Sequence, residues 1–169
     1  MRYAGLILIC LPTALAGIFY SVTAKKRAAI CRLSAELLRD TDRFIAETGR
    51  DVLSAMKYIS KKSKYSRFSF AADTVDLLKH GEPLPSAWQK SILADGEMSC
   101  LPNDALGIIL SACECFESPT KRELSERLGS YAERLSNESR ELSLKYSKNG
   151  SVAVGLSILG ATALFIILV

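Results

Sequence analysis

The chain has 169 residues, enough for one modest domain, and a formal net charge of +4 from 22 basic and 18 acidic residues. Charges this evenly matched do not by themselves mark a nucleic-acid binder. Five cysteines without a framework spacing and one histidine, His80, exclude a disulfide scaffold and an ordinary zinc site.

Residues 3–22 carry no charge and include Pro12. Two readings apply. One is a transmembrane helix kinked at Pro12, a residue that lipid-embedded helices tolerate. The other is a cleaved export signal, with Ala14-Leu15-Ala16 as the cleavage site before Gly17. Lys25, Lys26, Arg27 and Arg32 follow at once. A basic cluster there opposes translocation and favours the retained helix.

Residues 23–48 are expected to continue as helix, with Ile30, Leu33, Leu37, Phe44 and Ile45 at helical spacing and Gly49 as the stop. A second helix over 50–62 places Val52, Leu53, Met56 and Ile59 on one face. There follows a run of cations, Lys57, Lys61, Lys62, Lys64 and Arg67, interleaved with Tyr58, Tyr65 and Phe68. As a functional feature it is a contact patch for an acidic partner or anionic headgroups. As a structural feature it is a solvated helix end, where cations suit the negative pole of the dipole. No recognition motif for nucleic acid accompanies it.

A third helix is expected over 66–79, with Phe70, Ala71, Val75 and Leu78 inward. His80-Gly81 closes it and Pro83 and Pro85 enforce a turn. Ser86 is positioned to cap a short fourth helix, 87–94, where Trp88 reads as a core anchor. Asp95-Gly96 is a turn. A fifth helix opens at Pro102 and runs to Phe116 with Leu106, Ile109, Leu110 and Cys113 inward. Ser118 and Pro119 open the last helix as N-cap and first residue.

That last helix carries Leu124, Leu128, Tyr131, Leu135 and Leu142, a narrow seam of coiled-coil type. Its other faces are charged, with Glu123/Arg127, Arg134/Glu138 and Glu141/Lys145 four apart. Residues 151–169 are uncharged. Nineteen residues at about 1.5 Å each approach the ~30 Å of a hydrocarbon core. Lys145 and Lys148 flank this second block. Both basic flanks place the central part in the cytoplasm. Small residues recur four apart in each block: Thr13, Gly17 and Ser21, then Ala153, Ser157 and Ala161. Such rows allow close helix packing in lipid.

The expected architecture is therefore all-α. A cytoplasmic helical bundle of about six helices, 23–149, lies between transmembrane helices at 1–22 and 150–169. No phosphate loop, nucleophile elbow or metalloprotease motif occurs in the chain. With one histidine and uncharged apolar blocks, the residue types point to binding and assembly, with no cofactor and no small-molecule substrate. A membrane enzyme would require a clustered acid pair or a Cys-His contact in the fold, such as His80 beside Cys100 or Cys113.

The arrangement resembles the stage III sporulation protein AB family of endospore-forming bacteria. The resemblance is carried by Lys148-Asn149-Gly150, by Leu156-Ser157-Ile158-Leu159-Gly160, and by Gly81 followed by Ser86-Ala87-Trp88. It departs at residues 113–119, where the family often has a Phe-Gly…Leu-Gly…Asp stretch. The resemblance implies a bundle similar to the cytoplasmic domain of the type II secretion platform protein F. It implies a place in the mother-cell membrane, in the channel complex between mother cell and forespore. The partners it implies are the complex's ATPase, stage III sporulation protein AA, and other channel subunits.

Overall fold

A computed structural model describes residues 2–118 and 120–168, with side chains described over 22–118 and 120–145. Six α-helices run through these residues: α1 Arg2–Thr48, α2 Val52–Lys61, α3 Phe70–Lys79, α4 Leu84–Ala94, α5 Asn103–Ser111 and α6 Lys121–Leu168. Three 3-10 turns join them, at Ser63–Tyr65, Met98–Cys100 and Ala112–Glu117. Among the described residues there is no strand. The all-α expectation holds.

The chain divides into two compact units, Met1–Ala28 with Arg140–Val169, and Ala29–Ser139. The backbone is helical over residues 3–22 and 151–168. The packing positions Thr13, Gly17, Ser21, Ala153, Ser157 and Ala161 lie outside the described side chains. Among the described residues, no helix is long and apolar enough to cross a membrane.

In the unit Ala29–Ser139, α1 is buried over a wide arc. Ile30, Cys31, Ala35, Leu37, Leu38 and Ile45 are all 5 % exposed or less. Leu33 and Phe44, expected inward, are half-buried. Two small polar residues take inward positions instead. Thr41 donates to the Leu37 carbonyl at 2.8 Å, and the Ser34 hydroxyl lies 3.9 Å from the Met98 sulfur. A hydroxyl that bonds within its own helix turn can be buried without an orphaned donor.

Gly49 ends α1 with φ 65°, its N–H bonded to the Ile45 carbonyl at 2.9 Å. Gly81 has φ 85°, with Gly81 N–H on Leu78 and Glu82 N–H on Leu77. That is a Schellman closure of α3 at the expected place. α3 itself begins at Phe70, four residues later than expected. Tyr65 and Phe68 are both buried, at 1 % and 4 % exposure, three residues apart, a spacing that 3-10 winding serves.

α4 begins at Leu84 because Pro85 fits its first turn. Ser86 does not cap it; its hydroxyl donates to Glu82 at 2.7 Å. α5 stops at Ser111, and Ala112–Glu117 tightens to 3-10. That winding buries Ala112 and Cys115 together, three apart. On α5 the inward residues are Ala105 and Ile109, while Leu106 and Leu110 are half-buried. Thr120 opens α6, its hydroxyl accepting from Glu123 N–H at 3.3 Å; Ser118 instead accepts from Arg127 at 3.3 Å. Along α6, Leu124, Leu128, Leu135 and Leu142 are buried as expected, but Ala132 replaces half-buried Tyr131 in the inward row.

An aromatic line crosses the core. Phe68 lies 5.8 Å from Phe70, Phe70 meets Trp88 edge-on at 5.4 Å, and Trp88 meets Phe116 at 5.8 Å. The Trp88 Nε1 donates to the Ile109 carbonyl at 2.9 Å, near the end of α5. Carbonyls there lack full intrahelical partners, so a buried indole N–H and a helix end satisfy each other. Trp88 is the core anchor that its sequence context indicates.

Candidate functional site

The five cations singled out in the sequence lie on α2 and on the connector to α3. The structure divides them. Three are tied to carboxylates of the same unit. Lys62 Nζ lies 2.9 Å from Asp40, Lys64 Nζ lies 3.0 Å from Glu36, and Arg67 lies 3.3 Å from Glu97. Lys57 and Lys61 are exposed on α2, and among the described residues neither is in an ion pair.

Asp40 is the centre of the first group. It accepts from Lys62 at 2.9 Å and from the Tyr65 hydroxyl at 2.8 Å. Partial burial pushes its pKa up, but the bonds from Lys62 and Tyr65 outweigh this and hold the carboxyl below the usual range. Burial pulls the Lys62 pKa down, and Asp40 more than restores it. Burial pushes the Tyr65 hydroxyl up, and the charge of Asp40 pushes it further. The Tyr58 ring closes the cluster. It stacks on Phe44 with centroids 4.5 Å apart, and Lys62 sits 4.4 Å over its face. Lys64 lies 5.3 Å from the Tyr65 ring centre.

A second acid grips the same connector from the other end. Asp95, 2 % exposed, accepts from four donors. One oxygen takes Phe70 N–H at 3.0 Å and the Ser69 hydroxyl at 3.3 Å. The other takes Glu97 N–H at 2.7 Å and Met98 N–H at 3.1 Å. The residue thus caps the start of α3 and the turn Met98–Cys100 at once. In the sequence, Asp95-Gly96 signals a turn and nothing more. The available signal is an Asp-Gly pair whose carboxylate can reach the N–H of Glu97 two residues on, the local pattern of an Asx turn; its bond to residue 70 has no local signal.

The remaining singled-out residues do not converge. His80 is exposed at the end of α3, and its Nδ1 donates to the Asp76 carbonyl at 2.7 Å, a capping contact. Cys31, Cys113 and Cys115 are buried and Cys100 is half-buried, all as free thiols; Cys10 lies outside the described side chains. Burial pushes Cys31 up to about 12, with Glu138 adding to the shift. Burial likewise raises Cys113 and Cys115. Thiols so raised are poor nucleophiles. Among the described residues, no group of three His, Cys, Asp or Glu side chains could hold a metal ion.

The described fold is of one class, an all-helical unit whose connector carries its charge in pairs with its own acids. The chain belongs to the stage III sporulation protein AB family, whose model matches residues 2–169. Comparison with characterised proteins and with solved structures returned no match.

Proposed function

We propose that the protein is a non-enzymatic scaffold subunit of the channel complex between mother cell and forespore. Its two apolar blocks cross the mother-cell membrane and hold the helical bundle in the cytoplasm. There the bundle docks the complex's ATPase, stage III sporulation protein AA, and other channel subunits. The observation that carries this reading is the family match over residues 2–169. It is supported by the sequence: two uncharged blocks, 3–22 and 151–169, each flanked by lysines on the side of the central part.

The test is co-purification of the tagged full chain from detergent-solubilised membranes of sporulating cells. The expected result is recovery of the ATPase with the full chain, and a chain whose N-terminal sequence still includes residues 3–22. Absence of the ATPase removes the docking role. A mature chain beginning at Gly17 replaces the reading with an exported binding module held by its C-terminal block.

A further inference from the structure

One face of the cluster is not consumed by internal contacts. Tyr58 is 40 % exposed although its ring is stacked on Phe44. Lys57 and Lys61 flank it on α2, four residues apart and so on one side of the helix. Across the Phe44–Tyr58 contact, Arg39 and Arg43 are exposed on α1. Each precedes by one residue a side chain that faces this part of the unit: Asp40 meets Lys62, just past the end of α2, and Phe44 meets Tyr58 on α2. Helical phase therefore sets both arginines on the solvent side of that seam. Among the described residues, none of these four cations is in an ion pair.

We propose that Arg39, Arg43, Lys57, Tyr58 and Lys61 form a docking surface for the carboxylate-rich face of a partner protein. The proposal rests on the scaffold reading and adds to it the surface and the chemistry of the partner. Three observations carry it. Neighbouring Lys62, Lys64 and Arg67 are each matched by an acid of the same unit, whereas among the described residues none of these four is in an ion pair. The unmatched cations surround a half-exposed tyrosine, and Tyr and Arg are the residue types that anchor protein interfaces. The Tyr58 ring is held in place by Phe44 on one side and Lys62 over its face, so little freedom is lost on binding.

A bilayer is the weaker fit. Anionic lipid is attracted by net charge density, typically a run of 4–8 cations. Here Glu36 and Asp40 lie among the cations and lower the smoothed potential. A protein surface reads the arrangement of charges, not their sum.

The experiment places a photo-crosslinking residue at Lys61 in the full chain, made in sporulating cells, with exposed Gln89 on α4 as the control position. The expected result is an adduct at 61, absent at 89, whose crosslinked peptide comes from another protein and carries several carboxylates. Arg43→Glu with Lys57→Glu should lower its yield about tenfold. The thermal midpoint of the double variant should stay unchanged, since neither side chain holds the fold. If the acidic peptide belongs to the ATPase, both readings stand. If it belongs to another protein, the surface stands and the ATPase assignment falls. Adducts to lipid alone, to a second copy of the chain, or to a peptide without carboxylates overturn the proposal. So does the absence of any adduct at 61.

Discussion

Asp95→Ala tests the part of the fold on which the connector depends. Three backbone N–H groups, of Phe70, Glu97 and Met98, donate to this one carboxylate. The Phe70 and Met98 bonds are buried, and the Glu97 N–H is near enough to the surface to find water. Each buried donor left without a partner costs about 1–3 kcal/mol, which gives about 4 kcal/mol for the pair. Against this, alanine removes the penalty of burying a charge. If that penalty matched what the four bonds return, the substitution would be neutral. Asp95→Asn discriminates further, because its amide keeps one accepting oxygen and turns the other into a donor facing donors. It should cost about half as much. The assay is far-UV circular dichroism melting of the full chain in detergent. For a domain of this size about 1 kcal/mol corresponds to about 4 °C. The expected falls are thus about 15 °C for alanine and about 8 °C for asparagine. Amide exchange should accelerate at Phe70 and Met98 before it does at Leu128 in α6. A midpoint within about 4 °C of the parent for Asp95→Ala would refute the claim that this carboxylate holds the two turns.

Gly107 and Gly129 are exposed inside α5 and α6, and an added Cβ at either meets nothing within 4 Å. Each Gly→Ala substitution should therefore stabilise by about 0.5–1 kcal/mol, read as a rise in melting midpoint. Stability should fall at both pH extremes. The lowered Asp40 contributes above its ordinary 3.8 and loses that contribution as pH falls through its folded value. Raised Cys31, Lys62 and Tyr65 contribute below their ordinary 9.0, 10.5 and 10.0 and lose it as pH climbs past them. Tyr65→Phe should flatten both limbs, since it removes a bond to Asp40 and a titrating hydroxyl; unchanged limbs would exclude the cluster as their source. Alkylation of the native chain at neutral pH, mapped by mass spectrometry, should modify Cys100 well before Cys31, which is 0 % exposed. Comparable rates would mean that the α1 core opens readily.

The helices were legible because their signals are local. Gly49 and Gly81 ended α1 and α3 as read, and Met56, Ile59, Phe70, Val75, Trp88 and Ile109 are buried as read. What was not legible depends on contacts distant in sequence or on polar groups that hydropathy counts as exposed. Ser34, Thr41 and Asp95 are buried because each has a partner, and the Asp95 partner at residue 70 is 25 positions away. The 3-10 windings at 63–65 and 112–117 escaped for a related reason. A period near three over so few residues is hard to tell from 3.6. The candidate patch was legible as a run of cations, but not its division, since Glu36, Asp40 and Glu97 lie 22 to 30 residues from the cations they pair with, on either side.

That division changes what the run of cations means. Between Lys62 and Phe70 the chain is gripped by four carboxylates: Glu36 and Asp40 from α1, Asp95 and Glu97 from the turn after α4. The first pair takes two lysines and a tyrosine hydroxyl; the second takes an arginine, a serine hydroxyl and the opening N–H of α3. A connector between two short helices, whose own regular structure is the 3-10 turn Ser63–Tyr65, is thus fastened from both sides by side chains. The lysines and arginine spent there are part of the fold, each at the modest strength of a partly exposed pair. Charge available to another protein is what remains after those pairs are formed. On this surface it is Lys57 and Lys61 beside Tyr58, joined by arginines of α1 that lie outside the run altogether. A cationic stretch in a small helical domain therefore locates a partner surface only after its acids have been found, and here they come from both sides of the connector in sequence.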